Sequence, residues 1–309
     1  MELLSAIVPC FNEEENIADF YQEFLKVVPT FKEQNVDYEL VFVDDGSNDN
    51  TVGEIKKLAA ADERVHMVSF SRNFGKEAGI YAGLKKAKGD YIVFLDADLQ
   101  DPPALLPEMF GYIKEGYDSV ATRRVNRKGE PLIRSFFARC FYRLMKKISK
   151  TEIVDGARDY RLMTRQVADA ILSMGEYNRF TKGIFGWVGY ETKWIEFENV
   201  ERKKGETKWS FWKLLIYSLE GITSFSTAPL AIAAFMGLFF CLIAFIAIIF
   251  VFVRAMLFGD PTSGWPSMVC IILLIAGIQL FCIGIVGQYL AKTYLEVKNR
   301  PLYLVKEEI

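Results

Sequence analysis

Three carboxylates close behind an apolar run are the first residues in this chain that could do chemistry. In FLDADLQDPP, residues 94–103, Asp96 and Asp98 stand two apart and Asp101 follows just before a pair of prolines. In an extended segment residues i and i+2 point the same way, which predicts one face for the Asp96 and Asp98 carboxylates. Two such groups repel unless a cation joins them. Hard oxygen ligands suit Mg²⁺ or Mn²⁺, with substrate phosphates completing the shell. The pair alone is weak evidence, because exposed acids are common at turns. Asp101 reads more simply as a turn acid or helix N-cap ahead of Pro102 and Pro103. The rest of the inventory narrows the chemistry. A single histidine in 309 residues, His66, effectively excludes a Ser-His-Asp triad and a histidine-rich zinc site, and no GxxxxGK[ST] loop is present. His66 lies in a strand-like run and reads as structural. The five cysteines show no CxxC or metal-ligand spacing. With 37 Lys and Arg against 39 Asp and Glu, no global field draws the chain to nucleic acid, and no motif that reads RNA or DNA occurs.

The elements that must position these acids alternate along the first hundred residues. LLSAIVP, YELVFVDDGS, RVHMVSF and DYIVFLDAD read as strands, and 13–28, 51–61 and 76–87 between them read as helices. That order predicts an α/β domain of parallel strands joined by crossover helices. Ligands in such sheets sit beyond the carboxyl ends of the strands. Three of the four predicted strands run into polar clusters there: Asn12 and Glu13, Asp44 and Asp45, Asp96 and Asp98.

The C-terminal third has a different solvent. Residues 227–253 carry no charge, and at about 1.5 Å per residue they exceed the roughly 30 Å hydrocarbon thickness of a bilayer. A second run covers 267–291, and the basic residues flanking the pair put both flanks in the cytosol. The expectation is a cytosolic domain tethered by a transmembrane hairpin. Residues 132–148 place Ile133, Phe137, Phe141 and Leu144 on one helical face and Arg139, Arg143, Lys146 and Lys147 opposite. That is an interfacial pattern, or else a helix packed on the sheet with a solvated basic face. Gly277, Gln279, Gly284 and Gly287 in the second run allow close helix contact, within the hairpin or between copies.

Four blocks, IVPCFNEEENI, VFVDDGSNDNT, SRNFGKEAGIYAG and DADLQDPP, together resemble the family 2 glycosyltransferases of the GT-A fold. DGARDYRLMTR, NRFTKGIFGWVGY and ERKKGETKWSFWKLL, followed by two spans, narrow the resemblance to polyprenyl-phosphate glycosyltransferases, the group similar to bactoprenol glucosyltransferases and dolichol-phosphate-mannose synthase. It covers about residues 3 to 295.

The resemblance implies a Rossmann-like GT-A part at 1–131, an acceptor-binding part with interfacial helices at 132–226, a transmembrane hairpin at 227–291 and a cytosolic tail at 292–309. It matches Pro9, Phe11 and Glu13, with Asp44 or Asp45, to positions that hold the nucleotide base and ribose. Asp96, Ala97, Asp98 and Gln100 match the metal and diphosphate site, with Mg²⁺ or Mn²⁺ held by Asp96, Asp98 and Gln100. Arg202 and Lys208 match positions that hold the acceptor phosphate, and Arg123 and Arg134 are assigned with them. Asp159 matches the usual catalytic base, yet Arg158 stands before it where many relatives have Gly. A phosphate monoester is already largely dianionic at neutral pH and needs little help losing a proton. Asp159 is therefore expected to orient the acceptor and Arg161, with base catalysis the lesser role.

The implied activity is inverting transfer of a hexose from a UDP-sugar to polyprenyl phosphate at the cytosolic membrane face. It calls for a separate flippase and a downstream transferase, and it leaves room for self-association. A processive polysaccharide synthase would carry a QxxRW motif and more spans. A non-catalytic scaffold would be expected to have lost Asp96 and Asp98.

Overall fold

The structure, a computed structural model, describes residues 1–124, 156–197, 222–258 and 264–309, with Arg143, Lys147, Ile148, Thr151 and Val154 as single positions between. The helix expected over 132–148 lies outside the described residues apart from three of those positions.

Four buried strands form the parallel half of one sheet: β1 (Glu2–Cys10), β2 (Val36–Asp44), β3 (Val65–Phe70) and β4 (Tyr91–Phe94). Their near-continuous apolar sequences suit strands covered on both faces. Alternation divides β1: Leu4, Ala6 and Val8 enter one core, and Ile7 enters the other. The first core is closed by α1 (Ile17–Leu25), α2 (Val28–Glu33), α3 (Thr51–Ala61) and α5 (Leu106–Lys114). The second is closed by α4 (Lys76–Lys86), α6 (Arg165–Ser173) and α7 (Thr181–Trp187). Helix α4 lies so close to β1 that a Cβ on Gly83 would stand 2.2 Å from Ile7 Cγ2, so only glycine fits there.

The strand order is β7-β5-β6-β4-β1-β2-β3-β8, with β5 at Ser119–Arg124, β6 at Ala157–Thr164, β7 at Thr192–Phe197 and β8 at Val305–Glu308. The expected parallel set holds for β1 to β4. Beyond it the sheet is mixed, since β6 runs antiparallel to both β4 and β5 and β8 runs antiparallel to β3. Because β2 and β4 leave β1 on opposite sides, a crevice opens beyond the carboxyl ends of β1 and β4. The expected tail contributes a strand: Val68 pairs with Glu308, and Tyr303 stacks on Phe70 with ring centroids 4.8 Å apart.

Helices α8 (Ala228–Phe258) and α9 (Trp265–Lys298) contain segments long and apolar enough to cross a membrane, Ala228–Ala247 and Leu274–Lys298, with mean hydropathy 2.7 and 1.8. The base of the hairpin is tied by polar contacts. Tyr289 donates to the Ser226 carbonyl at 2.6 Å, and Lys292 reaches Ser224 Oγ at 3.0 Å. Glu296 accepts from the amides of Tyr177 at 2.9 Å and Asn178 at 3.1 Å, which joins α9 to the α/β domain.

Candidate active site

The site is assembled by the register of β6. Phe94 on β4 pairs with Arg161, so continuing the ladder two residues beyond the end of β4 sets Asp96 opposite Asp159. Lys76 closes the gap between them. Its Nζ lies 2.9 Å from Asp96 Oδ1 and 2.7 Å from Asp159 Oδ2. Pro9, Lys76, Asp96, Asp101 and Asp159 line one narrow cleft at the carboxyl end of the central strands. Burial alone would raise the Asp159 carboxyl, but Lys76 and Lys182 outweigh it and hold it well below the usual carboxylate range. Lys76 is correspondingly held above the ordinary lysine value by Asp159 and Asp96, against the opposing effect of burial.

Lys76 reaches this position because Gly75, at φ 96°, turns the chain into α4 in a conformation that suits glycine. Asp45 fixes the turn by accepting from the amides of Phe74 at 2.6 Å and Gly75 at 2.9 Å. Sequence reasoning passed over Lys76 although it lies inside one of the quoted blocks. A signal was available: a lysine in the first turn of a helix opposes the dipole, so it asks for a carboxylate partner.

The acids after β4 are arranged differently from the extended segment expected. Strand β4 ends at Phe94, residues 97 and 98 form a turn, and Leu99 is left-handed at φ 58°, so strand alternation is not what relates Asp96 to Asp98. Asp98 is buried and accepts from the Gln100 amide at 3.1 Å. Ala97 is buried beneath the turn. The expectation that Asp101 caps a helix is corrected: the helical turn Pro103–Leu105 has no side-chain cap, and Asp101 instead accepts from Arg158 Nε at 2.9 Å. Asp101 is 1% exposed, and burial pushes its carboxyl up against the pull of Arg158. Arg158, whose place before Asp159 set it apart in the sequence, therefore has a buried partner. It also approaches Gln100 Oε1 at 3.4 Å.

The residues expected on the nucleotide side occupy the neighbouring strand ends. Asn12, left-handed at φ 54°, donates its amide to Ser47 Oγ at 2.9 Å, and the Glu13 amide donates to Thr51 Oγ1 at 2.8 Å. Glu13 Oε2 accepts from Asn16 at 2.6 Å, and Phe11 is half-buried beside it. Asp44 is held internally, accepting from Ser69 Oγ at 2.7 Å and the Ser47 amide at 3.1 Å.

Arg161, also on β6, is not part of the Lys76 cluster. It donates to Ser119 Oγ at 3.0 Å and Thr192 Oγ1 at 3.3 Å and packs on the Phe185 ring. Arg123 forms an exposed ion pair with Glu196 across β5 and β7. Arg134, Arg202 and Lys208 lie outside the described residues. His66 sits in β3, 3.8 Å from Glu39.

A metal would find suitable chemistry on this turn. Asp96 and Asp98 supply oxygen donors, and Asp96 already carries one cation, the Lys76 ammonium. Two carboxylates suit a Mg²⁺ or Mn²⁺ that keeps waters and takes substrate phosphates. Among the described residues no group of three or more His, Cys, Asp and Glu side chains forms a metal cage.

Comparison with known proteins decides the family. The glycosyl transferase family 2 model matches residues 5–172. The chain belongs to family 2 of the glycosyltransferases. It is 42% identical over 305 residues to the putative glycosyltransferase CsbB of Bacillus subtilis, covering 99% of this chain and 92% of that protein. It is likewise 42% identical over 305 residues to the SfII prophage-derived bactoprenol glucosyl transferase of Shigella flexneri, covering 98% and 97%. The prophage bactoprenol glucosyl transferase homolog of Escherichia coli K12 is 42% identical over 304 residues, covering 98% of each chain. With this membership the mixed α/β sheet is a GT-A domain, followed by two apolar helices consistent with a hairpin.

Proposed function

We propose that this glycosyltransferase moves a hexose, glucose or N-acetylglucosamine, from a UDP-sugar to undecaprenyl phosphate at the cytosolic face of the cell membrane. The observation that carries the reading is the meeting of Asp96 and Asp159 on one ammonium, which joins the metal-type turn to the β6 acid. The names of the relatives, bactoprenol glucosyl transferases, support the acceptor and favour glucose.

In this reading Pro9, Phe11, Glu13, Asp44 and Asp45 border the base and ribose, and Asp96, Asp98 and Gln100 would hold Mg²⁺ or Mn²⁺. The metal, when bound, supplies Lewis-acid stabilisation of the departing diphosphate. An oxygen of the acceptor phosphate forms a bond to the anomeric carbon as the bond from that carbon to the UDP oxygen breaks. The electron pair leaves on UDP, and displacement from the opposite side inverts the centre. The acceptor is already largely dianionic near neutral pH, so no proton has to be removed at that step. Asp159 then serves to orient. The hairpin tethers the domain with both termini cytosolic, and a flippase and a second transferase would act on the product.

The test is UDP release from UDP-glucose and UDP-N-acetylglucosamine by the full chain in lipid nanodiscs, with and without undecaprenyl phosphate. Release that needs both the lipid phosphate and Mg²⁺ or Mn²⁺, and that stops in chelator, is expected. Elongated polymer, or full activity after metal stripping, would overturn the reading.

A further inference from the structure

Two helix starts bring lysines to one carboxylate. Helix α4 opens with Lys76 and Glu77, and α7 opens with Thr181 and Lys182. Lys76 pairs with Asp159 at 2.7 Å, while Lys182, whose Nζ donates to the Ala157 carbonyl at 3.1 Å, acts on the same carboxylate through its charge. The chain neighbours of the two lysines meet each other. Glu77 Oε2 accepts from the Thr181 amide at 2.9 Å and from the Thr181 hydroxyl.

The local chemistry asks for that contact. Phe180 stands at the N-cap of α7 and has no side-chain acceptor, so the amide of buried Thr181 takes its partner from another helix. Glu77 gives it at a cost. Burial raises its carboxyl, the Thr181 hydroxyl opposes the rise, and the charge of Asp159 adds to it. A third carboxylate is thus kept near a site that already holds Asp96 and Asp159. The same short helix also carries the base of the hairpin. Phe225, just ahead of α8, lies so close to Gly183 that a Cβ there would stand 2.4 Å from Phe225 Cε2, and its ring centroid is 5.9 Å from that of Phe180. Glu296 of α9 holds the Tyr177 amide shortly before α7 begins.

We propose that Glu77 is a positioning residue of the transferase: by holding Thr181 it fastens α7 to α4, sets Lys182 and Lys76 together against Asp159, and ties that arrangement to the base of the hairpin. The role rests on the transferase reading above and deepens it. Glu77 touches neither donor nor acceptor in that reading and acts through the two lysines. Its contact with Thr181 decides how far apart two cations stand around one acid, and a displacement of about 1 Å there is enough to slow a reaction about a hundredfold.

The experiment uses the full chain in nanodiscs with UDP-glucose and farnesyl phosphate, each variant confirmed folded by its thermal transition. Glu77→Ala is expected to lower kcat about tenfold to a hundredfold while the UDP-glucose KM stays in place. Glu77→Gln keeps an acceptor oxygen for Thr181 and should recover most of the turnover. Adding Thr181→Val to Glu77→Ala should cost little more, because both remove the same contact. Gly183→Ala should reproduce the fall in kcat by pressing on Phe225, and adding Phe225→Ala should relieve it. A second readout needs no turnover: trace acetylation followed by mass spectrometry should find Lys182 more reactive in Glu77→Ala, relative to the exposed Lys26 and Lys57, and unchanged in Glu77→Gln. An unmoved kcat in folded Glu77→Ala, or a raised UDP-glucose KM with kcat intact, overturns the role. Equal losses in Glu77→Gln and Glu77→Ala overturn the Thr181 contact as its cause. A loss in Gly183→Ala that Phe225→Ala leaves in place overturns the link to the hairpin. If the wild-type protein glycosylates no lipid phosphate, the transferase reading fails, and the labelling of Lys182 still decides whether Glu77 holds α7.

Discussion

Lys76 occupies the first position of α4, where the helix dipole disfavours a cation, and it stays there because two carboxylates hold it. A metal bound at Asp96 would compete with that ammonium. Replacing it, as in Lys76→Met, leaves the turn one negative charge richer. The Lys76 side chain is 39% exposed, so solvent screens the effect to about 1 kcal/mol, or roughly fivefold tighter Mn²⁺ in the absence of nucleotide. Titration followed by the electron paramagnetic resonance of free Mn²⁺ reads this directly. Weaker binding would show that Lys76 shapes the metal site instead of competing for it. Asp159 allows a second test with a definite sign. Its folded pKa lies below the unfolded value near 3.9, so the stability it contributes is present above that pH and is lost as pH falls toward the folded value. Asp159→Asn should therefore lower Tm at pH 7 by about 2–8 °C, from roughly 1–2 kcal/mol, with the gap closing below about pH 4. A gap that widens on acidification would mean that Lys76 and Lys182 are not what holds this carboxylate.

Between elements, the Arg158–Asp101 pair fastens the turn after β4 to the start of β6, the two pieces that carry the metal-type acids and Asp159. Arg158→Gln would leave Asp101, 1% exposed and already lacking a partner at Oδ2, as an uncompensated buried charge. The expected loss is about 2–4 kcal/mol, and adding Asp101→Asn should restore much of it, because removing both charges costs less than stranding one. Thermal unfolding of the two single variants and the double variant decides; additive losses would mean the pair is not coupled. The pair also shows where the sequence stops being legible. Strands β1 to β4 could be read because buried parallel strands advertise themselves as apolar runs separated by helical periodicity. Strand β6, ARDYRLMT, is half polar because its early residues serve the site, and nothing local says that it enters antiparallel between β4 and β5. Asp96, Asp98 and Asp159 could be picked out as candidates. Their link through Lys76, and the commitment of Asp101 to Arg158, depend on a register that only the folded sheet supplies.

For the whole molecule, the C-terminal segment matters more than its composition suggests. VKEE reads as a solvated tail, yet it is the edge strand β8, whose ladder to β3 is made by backbone groups while Glu307 and Glu308 pair with Lys56 and Lys86 at 2.6 Å each. Charged side chains are what an exposed edge carries to avoid pairing with other chains. The chain thus leaves the sheet, passes through α8 and α9, and returns to the opposite edge of the same sheet from β7. Both ends of the hairpin are anchored on the α/β domain, with Glu296 adding contacts at the Tyr177 and Asn178 amides. Ending the chain after Arg300 would remove β8 and the Tyr303 ring from Phe70, exposing a flat strand edge. Burial of one aromatic side chain and the lost ladder together amount to about 2–3 kcal/mol, or roughly 4–12 °C in Tm. The metal-type turn lies across the sheet beside β6, so Mn²⁺ binding should persist in the truncated protein. Lipid-dependent UDP release should fall, because only the Glu296 contacts then hold the end of α9 on the domain. An unchanged Tm would show that β8 contributes nothing to the sheet. A lowered Tm with full lipid-dependent turnover would show that the return strand stabilises the fold without positioning the site.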